Sequence, residues 1–110
     1  MAKRKVFFNG KFVDESEAKV SIYDSSLMFG DMVFEMTRSF NSKQWKLDEH
    51  IDRLFAGIKI LRIPVDFSKK YVKDKVLETI EVNKPAFEPD DEHRILIDVS
   101  RGLLSIYENE

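Results

Sequence analysis

Cysteine is absent from these 110 residues, and histidine occurs twice, proline three times and glycine four times. Without cysteine there are no disulfides, thiolate metal sites or cysteine nucleophiles, a composition suited to a reducing cytoplasm. His50 and His93 do not stand at ligand spacing from another histidine, which argues against a metal. No apolar run approaches the length needed to span a bilayer. The basic start, Lys3-Arg4-Lys5, is followed by Val6-Phe7-Phe8 and at once by Asn9-Gly10-Lys11, so no signal h-region forms. An excess of one charge is missing too: 18 Lys and Arg stand against 20 Asp and Glu, a net charge of −2, which leaves no footprint for a phosphate backbone. Ser25 and Ser26 lack a G-x-S-x-G setting, so a serine nucleophile is not indicated. The expectation is a soluble, cytoplasmic protein that binds neither nucleic acid nor membrane.

What is present is core material. The chain is 43% apolar with nine phenylalanines, which excludes disorder. Its length suits one domain, burying about two thirds of its unfolded surface.

Asn9-Gly10 between Lys5–Asn9 and Lys11–Asp14 is a hairpin signal, because both residues tolerate positive φ. Asp24-Ser25-Ser26 is a turn or helix-cap cluster. Residues 32–40 alternate, Met32, Phe34 and Met36 against Val33, Glu35 and Thr37, predicting a strand whose apolar face is buried and whose other face is partly polar. Asn41-Ser42-Lys43 turns the chain, and Gln44–Leu47 pairs back. Asp48 is the predicted N-cap of a helix carrying Ile51, Leu54, Phe55, Ile58 and Leu61 on one stripe, stopped before Pro64. Ser68 caps a second helix through Tyr71, Val72, Val76, Leu77 and Ile80 to Asn83, and 94–100 is a last strand. Hairpins, then two helices, then a strand predict an α+β fold, with the helices covering one face of a mainly antiparallel sheet.

Two arginines ask for an explanation. Arg53 lies at the edge of the first helix's apolar stripe. It either pairs with Glu49 four residues earlier or serves as an anion clamp, since a guanidinium meets phosphate oxygens bidentately. Arg38 is in phase with Met32, Phe34 and Met36, and an arginine on a buried apolar face needs an acidic ligand or an acid from elsewhere. Glu35 points the other way.

Asn9-Gly10-Lys11-Phe12, Phe29-Gly30-Asp31-x-Val33-Phe34-Glu35 and Asp48-Glu49-His50-Ile51-Asp52-Arg53-Leu54 together resemble the first domain of class IV (fold type IV) pyridoxal-phosphate aminotransferases. That family includes branched-chain and D-amino-acid aminotransferases and aminodeoxychorismate lyase. The resemblance runs over about residues 6 to 102. It implies pyridoxal 5′-phosphate as cofactor, held at its phosphate by Arg53, and a substrate pocket bordered by Phe29, Phe34 and Arg38. Phe34 resembles the branched-chain pattern. The implied partners are an amino acid, a 2-oxo acid and a second copy of the chain.

The resemblance also implies what these residues do not supply. Such enzymes need a lysine that bonds the cofactor and carries a proton, and in the family it lies in a second domain. None of the twelve lysines here has a matching context. The Arg-x-His pair of D-amino-acid enzymes is replaced by Ile106 and Glu108. The expectation is therefore a domain over residues 1–102, a severed interdomain connection over 103–110, no catalytic residue, and no activity or cofactor retention by the 110 residues alone. A non-catalytic interaction or dimerisation module is the alternative, and a lyase or D-amino-acid parent another.

Overall fold

A computed structural model describes residues 3–104. Strands β1 (Lys5–Phe8) and β2 (Lys11–Asp14) form an antiparallel hairpin. Its turn residues Asn9 and Gly10 both have positive φ, 49° and 90°, the twist that two-residue hairpins require. A short helix α1 (Ser25–Phe29) follows, and the Asp24 side chain caps it by accepting from the Ser26 amide at 2.9 Å. Asp24 Oδ1 also accepts from Ser100 Oγ at 2.9 Å, fastening α1 to the end of the last strand.

β3 (Met32–Phe40) is the spine of the second sheet, in the order β4-β3-β5, with β4 at Lys43–Gln44 and β5 at Arg94–Ser100. Both pairings are antiparallel, and Met32↔Ser100 through Arg38↔Arg94 are in register. The fold is α+β, as expected, but its strands form two sheets rather than one. Leu103, the first residue of the expected severed connection, bridges to Asp24. The rest of the expected severed connection, residues 105–110 with Ile106 and Glu108, lies outside the described residues.

α2 (Leu47–Leu61) lies between this sheet and α3 (Lys69–Asn83). Its residues Leu47, Ile51, Leu54 and Ile58 make the core with Ile63, Val72 and Val76, against Val33, Ile95, Ile97 and Val99 of the sheet. α2 begins one residue before the expected cap. Leu47 is needed in the core, so Lys46 turns left-handed (φ 54°) and Asp48 falls in the first turn, beside the positive end of the helix dipole. Ser68 caps α3 as expected, accepting from the Tyr71 amide at 3.0 Å.

The hairpin is fastened to this body by the Phe7 ring against Tyr71 and Lys75 of α3 and by one buried polar side chain, Asn83. Asn83 Oδ1 accepts from the Lys5 amide at 2.7 Å, and Asn83 Nδ2 donates to the Lys5 carbonyl at 2.9 Å. Nδ2 also donates to the Thr79 carbonyl within α3.

The faces of β3 are the reverse of the expectation. Glu35, Thr37 and Ser39 are buried against α2, while Phe34, Met36, Arg38 and Phe40 are exposed. Each inward polar group has a partner, which removes the cost of burying it. Thr37 Oγ1 donates to Gln44 Oε1 at 2.7 Å and Ser39 Oγ donates to Glu92 Oε1 at 2.8 Å.

Candidate functional site

Glu35 is the third polar group on that inward face, and its side chain is 5% exposed. A lone buried carboxylate would be expensive, and α2 supplies its partners. His50 and Arg53 are three residues apart, so both project from one side of α2 toward β3. Arg53 Nε donates to Glu35 Oε2 at 2.7 Å and Arg53 Nη2 to Glu35 Oε1 at 2.8 Å, a bidentate pair. His50 Nδ1 lies 2.7 Å from Oε1.

The bonds from Arg53 hold the Glu35 carboxyl below its ordinary range, against the opposing effect of burial and with help from His50. Glu35 is thus an anion at neutral pH, and His50 Nδ1 carries the hydrogen that it donates. Glu35 in turn raises the pKa of Arg53. The pair is open on one side only. The Arg53 side chain is 74% exposed, and Nη1 has no hydrogen-bond partner among the described residues.

Of the two sequence-based options for Arg53, the pairing with Glu49 is not the one that forms. Its acid is Glu35 on β3, not Glu49 on its own helix. Arg38 does not need a buried acid, because its face is exposed. Its Nε donates to the Ser39 carbonyl at 3.0 Å and its guanidinium lies 4.0 Å from the centre of the Phe40 ring. Arg38, His50, Trp45 and Arg94 border a surface cavity of about 750 Å³.

The four residues singled out from the sequence do not share one cavity. Phe29 at the end of α1 and Phe34 on β3 are exposed, at 68% and 62%, and neither borders that cavity. Phe34 shares the outer face of β3 with Arg38, and Arg53 is across the sheet. His50 connects the two sides, bordering the Arg38 cavity and bonding to the Glu35 that holds Arg53. A larger cavity, about 1010 Å³, lies between the start of α2, α3 and the 84–93 loop and contains none of the four.

Sequence reasoning missed Glu35 and His50. The available signal was the i, i+3 spacing of His50 and Arg53, together with a carboxylate in the same strand phase as Val33.

Residues 32–110 match the family model for amino-transferase class IV. The chain belongs to that family. A Methanocaldococcus jannaschii protein assigned as a branched-chain-amino-acid aminotransferase is 48% identical over 79 residues, 72% of this chain and 27% of that protein. A D-alanine aminotransferase of Bacillus licheniformis is 38% identical over 80 residues, 73% of this chain and 28% of the enzyme. Among solved structures, a T.th. branched-chain amino acid aminotransferase complexed with N-(5′-phosphopyridoxyl)-L-glutamate superposes with a TM-score of 0.73 at 26% identity. That likeness covers 84% of this chain and 30% of that one. The chain thus spans little more than a quarter of the curated class IV aminotransferases that it matches.

Proposed function

We propose that residues 1–102 are the first domain of a pyridoxal-phosphate aminotransferase and 103–110 the start of its connection to a second. The parent moves an amino group between an apolar, branched-chain type of amino acid and a 2-oxo acid. Arg53 binds the cofactor phosphate, and Phe29, Phe34 and Arg38 border the substrate. The observation that carries this is the half-satisfied guanidinium of Arg53, fixed on its inner edge by Glu35 and free at Nη1 on its outer edge.

That arrangement fits a phosphate oxygen. Nη1 offers charge-assisted donors at a fixed place, and the exposed side leaves room for the ligand. It fits as one wall of a site and not as a whole cradle, since the Glu35 charge offsets that of Arg53. Pyridoxal phosphate, when bound, supplies the electron sink for amino-group transfer. Arg53 anchors its phosphate end, Phe34 presents an apolar edge to a substrate side chain, and Arg38 offers a cation to a substrate carboxylate. The lysine that bonds the cofactor is assigned to residues beyond these 110, so the 110 alone are inactive and do not retain the cofactor. The protein acts as a cytoplasmic homodimer.

The test is amino-group transfer by the natural gene product that contains this chain, with L-leucine, L-glutamate and D-alanine as donors to a 2-oxo acid. Transfer from L-leucine supports the reading, transfer from D-alanine alone moves it to the D-amino-acid branch, and pyruvate released from aminodeoxychorismate moves it to a lyase. No transfer and no cofactor binding overturns it.

A second reading, an interaction or dimerisation module without catalysis, is favoured by the exposed outer face of β3 and β5, where Phe34, Met36, Phe40 and Leu96 stand uncovered. Sedimentation of the 110-residue chain as a compact monomer counts against it.

A further inference from the structure

We infer that Glu35, with His50 as its second tether, is a positioning residue for the cofactor phosphate: it holds Arg53 so that Nη1 is presented outward. This rests on the aminotransferase reading above and adds a residue to it from β3, a different element from the arginine's own helix.

Arg53 ends a long side chain that is mostly in solvent, so helix packing alone does not fix its guanidinium. Two parallel bonds to one carboxylate define both the position and the plane of that group. The carboxylate is itself immobilised, being nearly buried on β3 and bonded by His50 at the same oxygen that accepts from Nη2. Three bonds thus converge on Glu35, and the one edge of the guanidinium left over faces out.

Energetics points the same way. A carboxylate between Val33 and Thr37 on the face that packs on α2 is not what core packing asks for. A well-packed apolar residue there would leave the fold as stable or more so. Nor does charge explain it, because a negative group against Arg53 weakens the attraction of that arginine for any anion. What Glu35 does supply is orientation. Orientation and charge therefore act on phosphate binding with opposite signs, and a neutral isostere separates them.

The experiment uses the apo form of the natural gene product that contains this chain. Equilibrium dialysis gives its affinity for pyridoxal 5′-phosphate and for pyridoxal, which lacks the phosphate. The ratio of the two isolates what the phosphate contributes. Glu35→Gln is expected to lower that ratio about tenfold, some 1.4 kcal/mol, with pyridoxal affinity unchanged. A ratio that is unchanged, or that rises because a negative charge has gone, overturns the inference. So does an equal loss for both ligands, which marks a role in folding alone.

Should Glu35→Gln not fold, His50→Gln carries the test. It removes one bond to Oε1 and is expected to lower the ratio about threefold. An unchanged ratio overturns the inference. If the unsubstituted protein shows no preference for the phosphorylated ligand, the assignment of Arg53 falls and this inference falls with it. That outcome is visible before any substitution is made.

Discussion

Gly57 on α2 lies directly against Val33 on β3: a Cβ on Gly57 would stand 2.9 Å from Val33 Cγ1 and 3.5 Å from Val33 Cβ. Two effects compete in Gly57→Ala. Alanine gains about 1 kcal/mol of helix propensity, and overpacking against a stiff β-branched side chain costs about 1–3 kcal/mol. Overpacking is expected to win, for a net loss of about 1 kcal/mol in urea unfolding. Adding Val33→Ala should give a double variant more stable than the sum of the two losses, because the clash disappears. Strict additivity would show that helix and strand do not touch there.

The Glu35 carboxyl makes stability depend on acid. Arg53 first, then His50, hold its folded-state pKa below the ordinary value of 4.5, with burial opposing them. A lowered folded value means that the stabilisation is complete above the ordinary carboxylate range and is lost as pH falls through the folded value. Arg53→Ala removes the largest cause, so the folded value rises and acid unfolding should begin at a higher pH. Far-UV circular dichroism during an acid titration reads this directly. Coincident acid midpoints for the two proteins would mean that the pair does not exist in solution.

The β3–β4 turn is held from outside. Asn41 and Ser42 are both left-handed, with φ of 55° and 66°. The Glu92 carboxylate accepts from the Asn41 amide at 2.7 Å and from the Ser42 amide at 3.0 Å, besides the Ser39 hydroxyl. Ser42→Gly gives the turn the residue that its backbone prefers and should stabilise the chain by about 0.5–1 kcal/mol in thermal or urea unfolding. Glu92→Gln should lower Tm, and less so in the Ser42→Gly background. Equal losses in both backgrounds would show that the carboxylate is not restraining the turn.

Ser25 is fully buried at the start of α1, and its Oγ has no hydrogen-bond partner among the described residues. Ser25→Ala removes an unsatisfied hydroxyl and should raise stability by about 1 kcal/mol. A marked loss in chemical denaturation would mean that the hydroxyl is bonded in solution.

The extent of β3 was legible because period-two alternation is a property of the backbone. Which face turns inward was not, because hydrophobicity decides that only when polar side chains have nowhere to go. Here Glu35 reaches Arg53 and His50, Thr37 reaches Gln44, and Ser39 reaches Glu92, and every one of those partners lies outside β3. The α2 stripe was legible at Ile51, Leu54 and Ile58. Its start was displaced by Leu47, whose burial outweighs the capping preference of Asp48. At the site, the family pattern singles out Arg53, but no pattern along one helix discloses a carboxylate 18 residues away on a strand.

Asn83 and Lys5 are 78 positions apart, yet the pair of hydrogen bonds between them closes a ring that imitates one rung of a sheet. β1 and β2 can pair locally through their Asn9-Gly10 turn, but a two-stranded hairpin is marginal alone, it has nothing to dock on until α3 is complete, and a contact so distant along the chain is slow to find. On a growing polypeptide the hairpin's own residues emerge first and its docking contact last. In the finished molecule its amides should be among the earliest to exchange with deuterium, and an Asn83→Ala chain should release it while the β3–α2 layer stays shut.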